Sequence, residues 1–236
     1  MKRAHLKMFL ATTLMFGTSA FAEDSFASLF SSVDTSVISS AMGSAAAAPA
    51  GGAVDTRASE YKPSAKVSSD TRELIVNVFI KAGKASGKLT PALEDKLRTA
   101  FSTFDVARAW GKSLEPKGFK MNSLATGTAI WVSVSFRIMS GKESSDAQDA
   151  ALLRQFQVAF SKPAIAKMSD AEKQRNSELL MWMAALQDYD AGQLKAGAPG
   201  YTTQNVQKYI GDLLRTFKLD PAVFEIGDKG LQRKGG

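Results

Sequence analysis

Residues 123–139 read SLATGTAIWVSVSFRIM, the most apolar stretch of the chain after its first 22 residues. The stretch is too short and too mixed to cross a bilayer, which needs about 20 apolar residues. A helix that is apolar on most faces is expected at the centre of a bundle, where small residues let neighbours approach closely. The alternation of apolar and polar residues between 131 and 136 permits a strand instead. The stretch therefore predicts a central helix, with a strand as the alternative. Its small residues are Gly127, Thr128, Ser133 and Ser135.

Capping signals on both sides of this stretch predict further helices. Asp70, with Glu73 three residues later, resembles a capping box, and Gly87 is typical of a helix end. Thr90 and Pro91 combine a cap with proline at the first helical position. Further helix starts are predicted at Asp105 and at Ser169, which has Glu172 three residues later. Whole helices are predicted at about 145–160 and at about 203–217. The chain is thus predicted to be all-α, a single-domain bundle of about six or seven helices over 67–228, followed by a disordered tail at 229–236.

The first 22 residues have the three parts of a cleavable signal peptide. Basic residues come first, an apolar run follows, and Ala20-Phe21-Ala22 fits the small-x-small cleavage rule. We expect a periplasmic or secreted product that is not transmembrane after cleavage. The alternative is an uncleaved amphipathic anchor. Cleavage would remove the basic residues Lys2, Arg3 and Lys7.

Residues 23–42 form an amphipathic N-terminal segment, and an Ala/Gly/Pro-rich linker is predicted at 43–66. The apolar side chains of the first segment recur every three or four residues, as on one face of a helix. This segment either packs back onto its own domain, stays partly disordered, or docks on a partner. The candidates for partner binding are Phe26, Leu29, Phe30, Val33 and Val37.

Composition excludes several chemistries. The 236 residues contain no cysteine, and the single histidine, His5, lies within the predicted signal peptide. The mature chain therefore lacks the groups for a Ser-His-Asp triad, a Cys-His dyad or the usual zinc sites. No dense basic run indicates nucleic-acid binding. The mature chain would lose three of the 30 basic residues and keep a net charge of +4, which permits weak contact with an anionic envelope. We predict no cofactor and no metal site.

Glu178 is the best-placed residue for an enzymatic alternative. It precedes the apolar run Leu179–Trp182, and helical muramidases and transglycosylases act through a glutamate whose pKa is raised by an apolar pocket. Two weaker patterns have simpler explanations. Asp188 and Asp190 faintly resemble a calcium loop but read better as a solvated helix end. Ser59-x-x-Lys62 matches a serine–lysine pattern but is followed directly by proline, which disfavours helical geometry.

The chain resembles an uncharacterised family of exported bacterial all-helical proteins, a domain of unknown function. The resemblance rests on Tyr61-Lys62-Pro63-Ser64, Trp131, the run LLMWMAAL at 179–186, and the segment 219–231. It covers about residues 60–232 and implies a helical fold and export, with no activity attached. Together with the exclusions above, it favours a non-enzymatic envelope protein that binds a protein partner. The alternatives are a muramidase-like hydrolase and a periplasmic immunity or inhibitor protein.

Overall fold

The computed structural model describes residues 35–45 and 55–235, and nine α-helices and one two-stranded sheet lie within these ranges. The all-α prediction is confirmed. The helices are α1 (Thr35–Ala45), α2 (Ala65–Ala85), α3 (Pro91–Thr103), α4 (Val106–Leu114), α5 (Leu124–Ser140), α6 (Asp146–Ala159), α7 (Pro163–Ala166), α8 (Asp170–Lys195) and α9 (Thr203–Thr216). Two 3₁₀ turns, Thr56–Ser59 and Glu115–Lys117, and the strands β1 (Phe224–Gly227) and β2 (Gly230–Arg233) complete it.

The predicted central helix is α5. Every residue from Leu124 to Phe136 is buried, and α5 packs most extensively against α8. The two backbones approach closely at Gly127, where an added Cβ would lie 2.5 Å from the Ser177 Oγ and 2.6 Å from the Ser177 carbonyl oxygen. The central-helix prediction is confirmed and the strand alternative is wrong. The helix is buried on all its faces, so the alternation of apolar and polar residues at 131–136 does not reflect one buried and one exposed face.

Most predicted helix starts are confirmed, and one is wrong. The side chains of Thr90, Asp105, Ser145 and Ser169 all accept a backbone N–H of the first turn of their helices. The α2 helix, however, begins after Ser64 rather than at Asp70. The side-chain amide of Gln174 fixes this start, since it accepts the Ser64 N–H at 2.8 Å and donates to the Ser64 carbonyl at 2.9 Å.

The predicted linker at 43–66 is wrong for its second half. Residues 55–66 contain the first 3₁₀ turn and the start of α2, and Ser59 and Tyr61 are buried. The Tyr61 hydroxyl donates to the Met121 carbonyl at 3.0 Å. On the N-terminal side, α1 crosses the predicted boundary at residue 42, and its buried side chains Ile38, Ala41 and Met42 join the core against α6.

The predicted disordered tail at 229–236 is wrong for residues 230–233. This segment pairs antiparallel with β1, and Leu231 is buried. The reason is a long-range contact from α6: Gln155 Oε1 accepts the Leu231 N–H at 2.7 Å, and Gln155 Nε2 donates to the Leu231 carbonyl at 2.9 Å. Gly230, with φ +89°, makes the tight turn between the strands possible.

Within residues 35–45 and 55–235, no helix combines the length and apolar character that a membrane span requires. The predicted signal peptide, residues 1–22, lies outside the described residues.

Candidate binding cleft

A cavity of about 820 Å³ lies between the C-terminal hairpin and the facing ends of α5 and α6. Its lining includes Ser133, Arg137 and Ser144 on the helical side, and all four β1 residues, 224–227, on the hairpin side. We call it the C-terminal cleft. A volume of roughly 300–1,000 Å³ is usual for small-molecule sites in proteins.

The floor of the cleft is a hydrogen-bonded group of two serines above a buried carboxylate. The hydroxyls of Ser133 and Ser144 donate to Asp149 Oδ1 at 2.8 and 2.6 Å. Asp149 is 2 % exposed, and its Oδ2 has no hydrogen-bond partner among the described residues. The two serine hydroxyl oxygens also lie 3.2 Å apart, so the serines contact each other as well as the carboxylate.

The four basic side chains of the lining fall into two groups. Arg137 donates to Asp188 at 2.6 Å, and Arg215 donates to Asp212 at 2.7 Å, so both guanidinium groups are held by carboxylates. Lys142 and Lys234 lie exposed on the lining, and neither ammonium group makes an ion pair within the described part of the chain. Three carboxylates, Glu143, Glu225 and Asp228, line the same cleft, which therefore offers both signs of charge to a ligand.

Glu178, the candidate acid, lies elsewhere. It is 6 % exposed, and its Oε1 accepts the Ser68 hydroxyl at 2.5 Å and the Gln174 amide at 2.8 Å. Burial raises its pKa, while these two hydrogen bonds act in the opposite direction. The pKa of Glu178 is therefore raised, but its side chain ties α8 to α2 and does not line the C-terminal cleft.

A further buried acid, Asp190, also lies on α8. It accepts the Tyr209 hydroxyl of α9 at 2.6 Å, and burial raises its pKa to about 7. Burial also raises the pKa values of the neighbouring Tyr189, Tyr201 and Tyr209. The calcium-loop pattern here is not a loop, since α8 continues to Lys195. No cluster of three or more potential metal-ligating side chains occurs in the described ranges.

The remaining sequence candidates divide between the core and the undescribed part of the chain. The partner-binding candidates Phe26, Leu29, Phe30 and Val33 lie outside the described residues, and Val37 belongs to α1 but its side chain is not described. Trp131 and Trp182 are core residues, as their apolar helix faces predict. The Ser59 hydroxyl lies 3.0 Å from that of Ser123, while Lys62 is exposed, so the two do not form a serine–lysine pair.

The C-terminal cleft has few local signals in the sequence. Ser133 interrupts an apolar helix in the sequence, and no pattern singles out Asp149. The only local signal for the hairpin was the spacing of Phe224, Ile226 and Leu231 around the Asp228-Lys229 turn.

The model of one protein family, a family of unknown function (DUF6683), matches residues 18–234. The chain belongs to this family. The resemblance to a domain of unknown function is thereby confirmed, and the DUF6683 match extends N-terminally beyond the predicted limit at about residue 60. Neither a curated protein nor a solved structure matches the chain. Export and a bacterial source stay predictions.

Proposed function

We propose that this DUF6683 protein is an exported, non-catalytic binding protein of the bacterial envelope, and that the C-terminal cleft holds its ligand. The observation that carries the proposal is the cleft itself, whose volume of about 820 Å³ is that of a ligand site. The packed ends of α5 and α6 and the hairpin form its walls, so its shape exists before a ligand binds. Preorganised walls lower the entropy cost of binding.

The positions of two buried carboxyl groups whose pKa values are raised support binding rather than catalysis. Functional acids and bases with shifted pKa values usually cluster in the active-site cleft. Here the two carboxyl groups with raised pKa values, Glu178 and Asp190, both lie outside the cleft lining. The export half of the proposal rests on the signal-peptide pattern of residues 1–22.

Site-directed photo-crosslinking tests the proposal. Because the chain contains no cysteine, a single introduced cysteine takes a photoreactive label at one position only. Ala222→Cys places the label on the cleft lining, and Ala92→Cys places it on an exposed position of α3 as the matched control. The labelled full chain is illuminated in an envelope extract, with and without excess unlabelled protein.

We expect an adduct at position 222 that the unlabelled protein competes away, and no such adduct at position 92. Ala222→Trp should also lower recovery of the ligand by filling the cleft, while Ala92→Trp should not. Equal labelling at both positions, or none at either, would contradict the proposal. A stoichiometric protein in the adduct would favour the immunity or inhibitor form of this function.

A further inference from the structure

We infer that α9 couples the C-terminal cleft to the interface between α8 and α9, so that ionisation of the buried Asp190 weakens binding of a ligand in the cleft. This inference rests on the proposed function and adds the regulation of the same site. A buried carboxylate is costly where no cation compensates its charge. Coupling between two sites needs an element that contacts both of them, and α9 is that element.

The polar surroundings of Asp190 consist of phenols. Asp190 is 6 % exposed, and the Tyr209 hydroxyl of α9 donates to its Oδ2 at 2.6 Å. The titratable groups that interact with this pair are the phenols of Tyr189 on α8 and of Tyr201 in the segment before α9. Ionisation therefore places a negative charge between two helices, with one hydroxyl as its hydrogen-bond donor within the described residues.

The basic side chains of the packed elements are directed to other carboxylates. Asp190 makes no ion pair within residues 35–45 and 55–235, and Arg137, the charged residue of α5, is held by Asp188 at 2.6 Å. The charged residues of α9 are exposed and pair with one another: Lys208, Asp212 and Arg215. No cation of these helices thus offsets the charge of an ionised Asp190.

The ionisation of Asp190 falls in a pH range in which few groups change charge. Burial raises the pKa of Asp190 to about 7, while the hydrogen bond from Tyr209 acts in the opposite direction. The described part of the chain contains no histidine to titrate in the same range. The charged form therefore predominates in the folded protein only at a pH above about 7.

The α9 helix holds the end of α5 that forms one wall of the cleft. Gln207 Nε2 donates to the carbonyls of Ile138 and Met139 at 3.3 and 3.2 Å. On the other side of Tyr209, a Cβ added at Gly211 would lie 3.5 Å from Met139 Cε. Met139 lines the cleft. A change in the packing of α9 on α8 therefore reaches this wall through direct contacts.

The last turn of α9 reaches the opposite wall. Arg215 lines the cleft, and its Nε lies 3.5 Å from Asp220 Oδ1. The same carboxylate oxygen accepts the Ala222 N–H at 3.0 Å, and Ala222 also lines the cleft. Because α9 contacts residues of both walls, weaker packing on α8 reduces the preorganisation of the cleft and with it the affinity for a ligand.

A fluorescent label in the cleft tests the coupling without a ligand. Ala222→Cys carries an environment-sensitive fluorophore in the full chain, and Ala92→Cys carries it on an exposed position of α3 as the matched control. Emission is recorded from about pH 5 to about pH 9. The backgrounds are the wild type, Asp190→Asn, Tyr209→Phe and Glu178→Gln.

We expect the emission at position 222 to change in one step at about pH 7 in the wild type, with no step at position 92. Asp190→Asn should abolish the step, because asparagine cannot ionise. Tyr209→Phe should move the step upward by about one pH unit, since it removes a hydrogen bond that favours the charged carboxylate. Glu178→Gln should leave the step unchanged, although it removes another carboxyl whose pKa is raised.

The photoreactive label at position 222 measures the effect on binding. The labelled full chain is titrated into an envelope extract at about pH 6 and about pH 8, and the quantity is the concentration that gives half of the competable adduct. With a pKa of about 7, the neutral fraction of Asp190 falls from about nine-tenths to about one-tenth, so this concentration should rise by up to about tenfold. In Asp190→Asn it should be equal at both pH values.

The absence of a step at position 222 in the wild type, or a step that persists in Asp190→Asn, would overturn the inference. So would an adduct whose half-maximal concentration in the wild type is the same at both pH values. In that case the proposed function stands and the cleft is not regulated through Asp190. If no competable adduct forms at either pH value, the proposed function and the inference fail together.

Discussion

Replacing the buried Asp190 with asparagine should stabilise the protein in a pH-dependent way. Asp190 lies in the interface between α8 and α9, where the Tyr209 hydroxyl donates to its Oδ2 at 2.6 Å. Asparagine is nearly the same size and keeps an oxygen that accepts this hydrogen bond. It cannot ionise, so it never carries a charge into the interface.

The size of the effect follows from the pKa. Burial raises the pKa of Asp190 from 3.8 to about 7 in the folded protein. Below pH 3.8 the carboxyl is protonated in both the folded and the unfolded protein, so burying it costs no ionisation energy and the wild type has its full stability. As the pH rises from 3.8 to about 7, the unfolded chain loses the proton first, so this stability is lost at about 1.4 kcal/mol per pH unit. The total loss is roughly 4 kcal/mol by pH 8.

Urea unfolding at a series of pH values measures this effect. The quantity of interest is the free energy of unfolding of Asp190→Asn minus that of the wild type, because other carboxyls change both proteins alike. Glu94, whose pKa is lowered by Lys84 and Arg98, is one of these. The difference should be small below pH 4 and rise to several kcal/mol in favour of asparagine by pH 8.

Asp95→Asn is the matched control, since it removes an exposed carboxyl of α3 that makes no ion pair within the described residues. Its effect gives the contribution of losing one negative charge at the surface. A difference for Asp190→Asn that stays constant from pH 4 to pH 8, or that favours the wild type as the pH rises, would refute the reasoning.

Two further predictions concern the packing of the chain, and a third concerns the muramidase alternative. Gly127→Ala should lower the free energy of unfolding by about 1–3 kcal/mol, because its Cβ would overlap Ser177. Gly192→Ala should instead raise the free energy of unfolding by up to about 1 kcal/mol, because no atom lies within 4 Å of its added Cβ. Chemical denaturation of both variants shows whether the two effects have opposite signs. Gln155→Ala should lower the free energy of unfolding by about 1–3 kcal/mol, because it leaves the buried N–H and carbonyl of Leu231 unpaired. Amide hydrogen exchange in the hairpin should become faster in this variant. Gln157→Ala should change neither the free energy of unfolding nor the exchange rates. The wild type and Glu178→Gln should both fail to lyse purified peptidoglycan, and lysis by the wild type that is lost in Glu178→Gln would favour the muramidase alternative.

The fold was predictable from sequence wherever local signals decide it. Thr90, Asp105 and Ser169 mark helix starts because a short polar side chain satisfies free N–H groups wherever it precedes a helical run. The apolar character of 123–139 likewise predicts burial of α5 without knowledge of its neighbours. Nothing in these signals depends on residues that are distant in sequence.

Features that depend on distant partners could not be predicted in this way. The α2 start at Ser64 depends on Gln174, which lies more than 100 residues later in the chain. The C-terminal hairpin depends on Gln155, and without that contact a lysine- and glycine-rich end is typical of a disordered tail. The C-terminal cleft was missed for the same reason, because its walls come from α5, α6 and the hairpin together.

The single amide of Gln155 determines how far the small sheet can grow. Because its side chain already fills the hydrogen-bonding positions beside Leu231, the outer side of β2 cannot pair with another chain there. Head-to-tail stacking of molecules through this hairpin would need both of its edges and is therefore blocked at Leu231.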